Sequence, residues 1–145
     1  MALVEKSVLI EYSAAQMYAL VEDVAAYPGF LPWCGGAEVL GKEGNVTRAA
    51  IVIDFRGIKQ RFSTENRADP PQSIEMTLID GPFRQLDGSW HFKALGPDAC
   101  KIEFRLHYEF SSKLLEKIFG PVFHFIASTF VDAFVKRAQQ MYDKK

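Results

Sequence analysis

The sequence predicts an α+β fold: a curved antiparallel sheet of six to seven strands wrapped around one long C-terminal helix. Two periodicities predict it. Between residues 36 and 110 apolar side chains recur with period two. The last run alternates without error, Cys100, Ile102, Phe104, Leu106, Tyr108 and Phe110 against Lys101, Glu103, Arg105, His107 and Glu109. Such alternation belongs to an antiparallel sheet with one wet face and one buried face. Beyond Ser112 the period becomes helical. Leu115, Ile118, Phe119, Val122, Ile126, Phe130, Ala133, Phe134 and Met141 then share one broad stripe. That stripe has to cover the sheet. A third observation sets the scale. The chain has 145 residues, 48% of them hydrophobic and 24% charged, which fits a single domain, 1–145, with a sizeable core.

Taken in order, Leu3 to Glu11 reads as a first strand. Ser13 with Gln16 forms an S-x-x-Q capping box for a helix through Met17, Tyr18, Leu20, Val21 and Val24. Pro28 starts a second short helical turn and Pro32 ends it. Gly41 to Asn45 reads as a turn between strands. Thr47, Ala49, Ile51, Ile53 and Phe55 fall on one face of the next strand. Ile58 and Phe62 follow on one face, with Lys59, Arg61, Ser63 and Glu65 on the other. Asp69-Pro70-Pro71 interrupts the pattern. Ile74, Met76 and Leu78 alternate with polar neighbours, Asp80-Gly81-Pro82 turns, and Trp90 and Phe92 alternate with His91 and Lys93. Gly96-Pro97-Asp98 turns into the last strand. Ser111 or Ser112 caps the long helix, which Gly120-Pro121 should kink. Phe125 falls on its polar side, an anomaly in the pattern.

The segment Y-P-G-F-L-P-W-C-G-G, Tyr27 to Gly36, is the least ordinary in the chain. Large apolar side chains alternate there with prolines and glycines, so it can be neither one helix nor one long strand. It either closes a core or lines a cavity. Taken singly, the twelve phenylalanines and two tryptophans fit a dense core; as a set they are read as lining a cavity, because a helix over a curved sheet leaves a concave apolar space, the usual setting of a small-molecule site.

The formal net charge of −1 gives no long-range field for nucleic acid or anionic membrane, and no DNA partner is expected. Local basic clusters remain: Arg56, Lys59, Arg61 and Arg67, and Lys136, Arg137, Lys144 and Lys145. Cys34 and Cys100 show neither C-x-x-C spacing nor a disulfide framework, and free thiols fit a reducing compartment. The N-terminal residues carry no signal-peptide pattern. His124, Ser128, Thr129 and Asp132 interrupt the most apolar stretch, so it reads as a core helix rather than a spanning one.

No catalytic constellation is legible. His91 and His107 fall on the wet face and His124 on the polar side of the helix, without metal-ligand spacing. Cys34 has no histidine nearby in sequence and reads as a small buried thiol. Glycine-rich phosphate loops and nucleophile elbows are missing. Asp54, Asp80 and Asp87 lie near strand ends with nothing in the sequence to pair them. No catalytic residue, metal or required cofactor is expected.

Four stretches carry a resemblance: V-E-D-V-A-A-Y-P-G-F-L-P-W-C (21 to 34), F-R-G-I (55 to 58), G-P-F-R-Q-L-D-G-S-W-H-F (81 to 92) and A-F-V-K-R-A-Q-Q-M-Y (133 to 142). They resemble the coenzyme-Q-binding START-domain family of the START-like helix-grip superfamily, whose bacterial members are often labelled polyketide or oligoketide cyclases. The resemblance covers essentially the whole chain. It implies a hydrophobic tunnel that holds ubiquinone or a related polyisoprenoid lipid as bound ligand, carried or chaperoned without bond chemistry in support of respiration. A toxin branch of the family is described as binding the large ribosomal subunit and blocking subunit joining, and a cyclase-like enzyme is a weaker third reading. On the carrier reading the tunnel residues are Phe30, Trp33, Phe55, Phe62, Met76, Leu78, Phe83, Trp90, Phe92, Phe104, Leu106, Phe123, Phe130 and Phe134. Phe30, Phe83 and Phe125 would form the mouth or touch a membrane, and Pro28, Pro32 and Gly81 would shape the loops that open. Arg56, Lys59 and Arg61 form the basic patch that the ribosome reading would use. The expected location is cytoplasmic, with peripheral contact at the inner face of the membrane.

Overall fold

The computed structural model describes residues 2–143. Seven strands form one sheet: β1 (Ala2–Ile10), β2 (Cys34–Glu43), β3 (Val46–Phe55), β4 (Ile58–Asp69), β5 (Ser73–Asp80), β6 (Phe83–Gly96) and β7 (Ala99–Phe110). Helix α1 (Ala14–Glu22) and a 3-10 turn (Val24–Gly29) separate β1 from β2, and α2 (Lys113–Tyr142) ends the fold. The strand order is β1-β7-β6-β5-β4-β3-β2, antiparallel at every pairing. Strands β2 to β7 are a meander of hairpins, and β1 joins beside β7. Register shifts in β2, β5 and β6 add residues on one strand against its partner. Such bulges bend a strand and increase its twist. The sheet therefore curves around α2, as the period switch predicts.

The alternation of β7 translates directly into burial. Cys100, Ile102, Phe104, Leu106, Tyr108 and Phe110 are all buried. Helix α2 begins at Ser112, whose hydroxyl accepts from the Leu115 N–H, which settles the choice between the two serines. It runs unbroken through Gly120-Pro121. Its buried face is Val122, Phe123, Ile126, Ala127, Val131, Phe134 and Ala138. The expected stripe is correct in its middle and wrong at its ends, since Ile118 and Met141 are 48% and 52% exposed. By length and composition α2 could cross a bilayer. Here its middle turns bury their apolar face against the sheet.

Two boundaries and one burial differ from the sequence reading. Gly41 is not a turn residue: β2 continues through it to Glu43 across an irregularity between Val39 and Gly41, and the chain reverses at Gly44-Asn45. The short helical turn starts at Val24, ahead of Pro28. Ser63, assigned to the wet face, keeps that outward parity but is buried there beside its equally buried β3 partner Ala50.

The capping box at α1 is complete. The Ser13 hydroxyl accepts from the Gln16 N–H at 3.1 Å, and the Ser13 N–H donates to Gln16 Oε1 at 2.9 Å. Ser13→Ala is expected to lower the unfolding free energy by about 1 kcal/mol, read from urea melts at unchanged m-value. A larger effect is expected at Gly81, whose φ is +153°. A Cβ there would sit 2.6 Å from Phe62 Cβ, so the turn admits only glycine. Gly81→Ala should cost about 1–3 kcal/mol by the same measurement.

Candidate ligand-binding site

Between the sheet and α2 lies a cavity of about 70 Å³. Trp33 and Tyr27 close one side, and β3 gives Ala49, Ile51 and Ile53. From β4 come Phe62, Thr64 and Asn66, and from β5 to β7 Met76, Leu86, Phe104 and Leu106. Helix α2 adds Phe123, Ile126, Ala127 and Phe130, and Val24 completes the wall. The aromatic rings interlock: Trp33–Phe130 centroids lie 5.9 Å apart, Phe104–Phe130 5.7 Å and Phe62–Phe123 6.2 Å. The cavity volume is far below the roughly 300–1,000 Å³ of a typical ligand pocket. In this state the interior is nearly closed.

Two larger spaces flank it. A cleft of about 610 Å³ opens between the Pro28–Trp33 loop, the β3–β4 turn and α2; Phe30, Leu31, Phe55 and Phe125 face it. It shares Trp33 with the cavity. A side cleft of about 270 Å³ lies at α1 and the β2–β3 turn and includes Glu22, Lys42, Asn45 and Thr47. It shares Val24 and Asn66 with the cavity. The three spaces thus lie in series, with Trp33 as one partition and Val24 and Asn66 as the other.

The structure sorts the expected tunnel residues. Trp33, Phe62, Met76, Phe104, Leu106, Phe123 and Phe130 line the cavity, and Phe30 and Phe55 line the outer cleft with Trp33. Trp90, Phe92 and Phe134 are instead packed core. Trp90 is enclosed by Phe92, Phe104, Phe130 and Phe134 at centroid distances of 4.7 to 5.9 Å, and Phe92 packs edge-on against Tyr18. Phe83 is no mouth residue; it is buried against Phe62, Phe110 and Phe123 beside a void of about 10 Å³. Leu78 packs on the core near the Gly81 turn and is not in the cavity wall. The sequence reading passed over Tyr27, Ala49, Ile51, Ile53, Ile126 and Ala127. It also passed over Thr64 and Asn66, although both keep the parity of Phe62 along β4.

Phe125 resolves its anomaly by facing outward. It is 41% exposed and stacks on Phe55, with centroids 5.8 Å apart and planes 6° apart. The Arg56 guanidinium covers both rings, at 4.9 and 5.2 Å. Arg56 holds φ at +52° in the two-residue turn with Gly57, an uncommon conformation for a residue with a Cβ. Arg137 lies 5.1 Å over the Phe30 ring. The cleft is therefore an aromatic floor rimmed by cations. The expected basic patch is divided: Arg56 turns to the cleft, Arg61 on the outer face of β4 pairs with Glu38 at 3.7 Å, and Lys59 is exposed there. In the other cluster Lys136 and Arg137 border the cleft, while Lys144 and Lys145 lie outside the described residues.

Among the described residues no histidine, cysteine or carboxylate enters the cavity wall, and no cluster could hold a metal. The one titratable wall group is Tyr27, whose hydroxyl donates to the Val21 carbonyl and is raised above its ordinary pKa, chiefly by burial. Burial also raises the Cys34 and Cys100 thiols above their ordinary value of 9.0. These groups stay protonated in the fold at pH values where the unfolded chain releases protons. Their contribution is fully present below about pH 8.5 and is lost as pH rises beyond 9. Thermal midpoints should therefore be level from pH 7 to 8.5 and fall above it. The fall should be shallower in Cys34→Ala/Cys100→Ala.

The family model described as polyketide cyclase/dehydrase and lipid transport matches residues 10–135. The "Ribosome association toxin RatA" of Vibrio cholerae is 46% identical over 139 residues, 96% of each chain. The "Persistence and stress-resistance toxin PasT" of an Escherichia coli strain is 44% identical over 142 residues, 98% of this chain and 90% of that one. A mitochondrial coenzyme Q-binding protein homologue of Xenopus laevis is 31% identical over 144 residues, 97% of this chain and 59% of that one. Among solved structures, an 18 kDa protein of Caulobacter crescentus superposes with a TM-score of 0.75 at 31% identity, covering 98% of this chain and 99% of that one. An aromatase/cyclase of Streptomyces reaches 0.86 at 14% identity, covering 98% and 96%, a likeness of fold.

Proposed function

This chain belongs to the polyketide cyclase/dehydrase and lipid-transport family, and from that premise we propose that it binds an isoprenoid quinone or related lipid non-enzymatically, as carrier or chaperone in support of respiration. The observation that carries the reading is the pair of spaces on either side of Trp33: an apolar cavity next to an aromatic cleft, with no carboxylate, histidine or cysteine in the cavity wall among the described residues to work on a substrate. A cyclase would need a titrating group there. An aliphatic tail gains about 0.8 kcal/mol for each methylene taken from water, which would offset the parting of Trp33 from Phe130 as the cavity widens. The relative named for coenzyme Q binding supports the ligand class. The site is cytoplasmic on this reading, with the aromatic cleft toward the inner face of the membrane.

The second reading is a ribosome-directed toxin. It is favoured by the names of relatives at 44–46% identity, and Arg56, Lys136 and Arg137 around the cleft would meet RNA phosphates. The test is mass spectrometry of an organic extract of the protein purified gently from its native cells. A stoichiometric isoprenoid establishes the carrier. A clean extract, with subunit association that is inhibited and steeply salt-sensitive, establishes the toxin.

A further inference from the structure

The interior is not uniformly apolar. Thr64 and Asn66 stand side by side on the inward parity of β4, in a wall otherwise lined by aliphatic and aromatic groups, the Met76 thioether, the Trp33 indole and the tied Tyr27 hydroxyl. Thr64 is buried, and its Oγ1 donates to Asn66 Oδ1 at 2.9 Å. That bond orients the amide. The Asn66 carboxamide oxygen is occupied by the threonine, and its Nδ2, with two N–H groups, is left for another acceptor. Asn66 is also a residue of the partition, facing the cavity on one side and the polar side cleft on the other. The two ends of the series differ in character: Glu22, Lys42, Asn45 and Thr47 at the side cleft, and phenylalanines at the outer cleft.

We propose that Thr64 and Asn66 form a head-group clamp that takes a carbonyl oxygen of an amphiphilic ligand and sets its direction, polar head at the side cleft and apolar tail past Trp33 into the aromatic cleft. This rests on the lipid-binding reading above. The clamp works as a relay of donors: the Thr64 hydroxyl holds the Asn66 amide, and the amide N–H donates to the ligand carbonyl. A carbonyl buried without such a donor keeps its desolvation cost, so the pair selects a quinone-type or other carbonyl-bearing head over a plain hydrocarbon of equal length. The side cleft provides the room for the head that the 70 Å³ cavity lacks.

The test compares two ligands on the full chain, a short-tailed benzoquinone and a hydrocarbon of matching tail length, both titrated by isothermal calorimetry. Asn66→Leu and Thr64→Val remove the polar atoms at nearly constant shape, and Thr64→Ser restores the hydroxyl. The clamp requires that both apolar variants weaken quinone binding about tenfold, leave hydrocarbon binding within twofold, and that Thr64→Ser binds quinone as the parent does. The infrared carbonyl stretch of bound quinone should move toward its free value in Asn66→Leu. Equal loss of both ligands, or quinone binding and carbonyl stretch unchanged in both apolar variants, overturns the clamp and leaves the lipid reading standing. A parent protein that binds neither ligand overturns both.

Discussion

Replacing Trp90 by alanine is expected to remove about 3–5 kcal/mol of stability, enough to unfold much of the population of a marginal domain. The indole is 0% exposed and lies where the sheet meets α2: Phe104 on β7 is 4.7 Å away, and Phe130 and Phe134 on α2 are 5.7 and 5.4 Å away. Truncation would empty the junction of three elements, and the rings around it are held by their own strands and helix and cannot collapse inward. One term opposes this. Among the described residues the buried Trp90 indole N–H finds no acceptor, and its removal relieves a desolvation cost of about 1–3 kcal/mol. That term separates the two variants worth making. Trp90→Phe keeps most of the ring volume and loses the orphan donor, so it should fall within about 1 kcal/mol of the parent, whereas Trp90→Ala loses the packing as well. Urea unfolding of both checks the argument; equal destabilisation by the two would refute it.

The parts of the fold legible in the sequence are those where one physical rule acts alone. Strand β7 has a wet face and a dry face along its whole length, so its alternation reads without ambiguity. The Ser13 box is local and needs no tertiary information. Legibility fails where tertiary geometry overrides a local pattern. Ile118 and Met141 fit the helical stripe, but their neighbours Leu115, Phe119 and Tyr142 take the contacts with the core, and both stay in solvent. Gly41 looks like a turn residue and instead marks a bulge within β2. Which aromatic residues line a cavity and which fill a core is not encoded in periodicity at all. Trp90 and Phe104 are both inward-facing on neighbouring strands, at paired positions in the register, yet only Phe104 reaches the cavity. Thr64 and Asn66 did carry a signal, since they continue the parity of Phe62. A polar side chain at an inward position is the kind of local inconsistency that points to a site.

Filling the cavity should separate binding from folding more sharply than emptying it. Ala127 is buried on α2 and forms part of the cavity wall. Ala127→Leu puts an isobutyl group where a methyl stands, into space that already exists, on a helix that accepts leucine readily. The usual cost of overpacking, about 1–3 kcal/mol, applies to a filled core. Here part of the added volume meets a void, so the unfolding free energy should change by less than about 1 kcal/mol. A lipid tail competes for the same void. Excluding four methylenes from it forfeits about 3 kcal/mol, or roughly a 100-fold loss of affinity. The outer cleft is untouched by this change, because Trp33 stands between the two spaces. Ribosome-directed activity exercised through Arg56, Lys136 and Arg137 should therefore survive in Ala127→Leu if the two functions are separate. A tail that lies only in the outer cleft predicts unchanged quinone affinity, and that result would move the binding site out of the interior altogether.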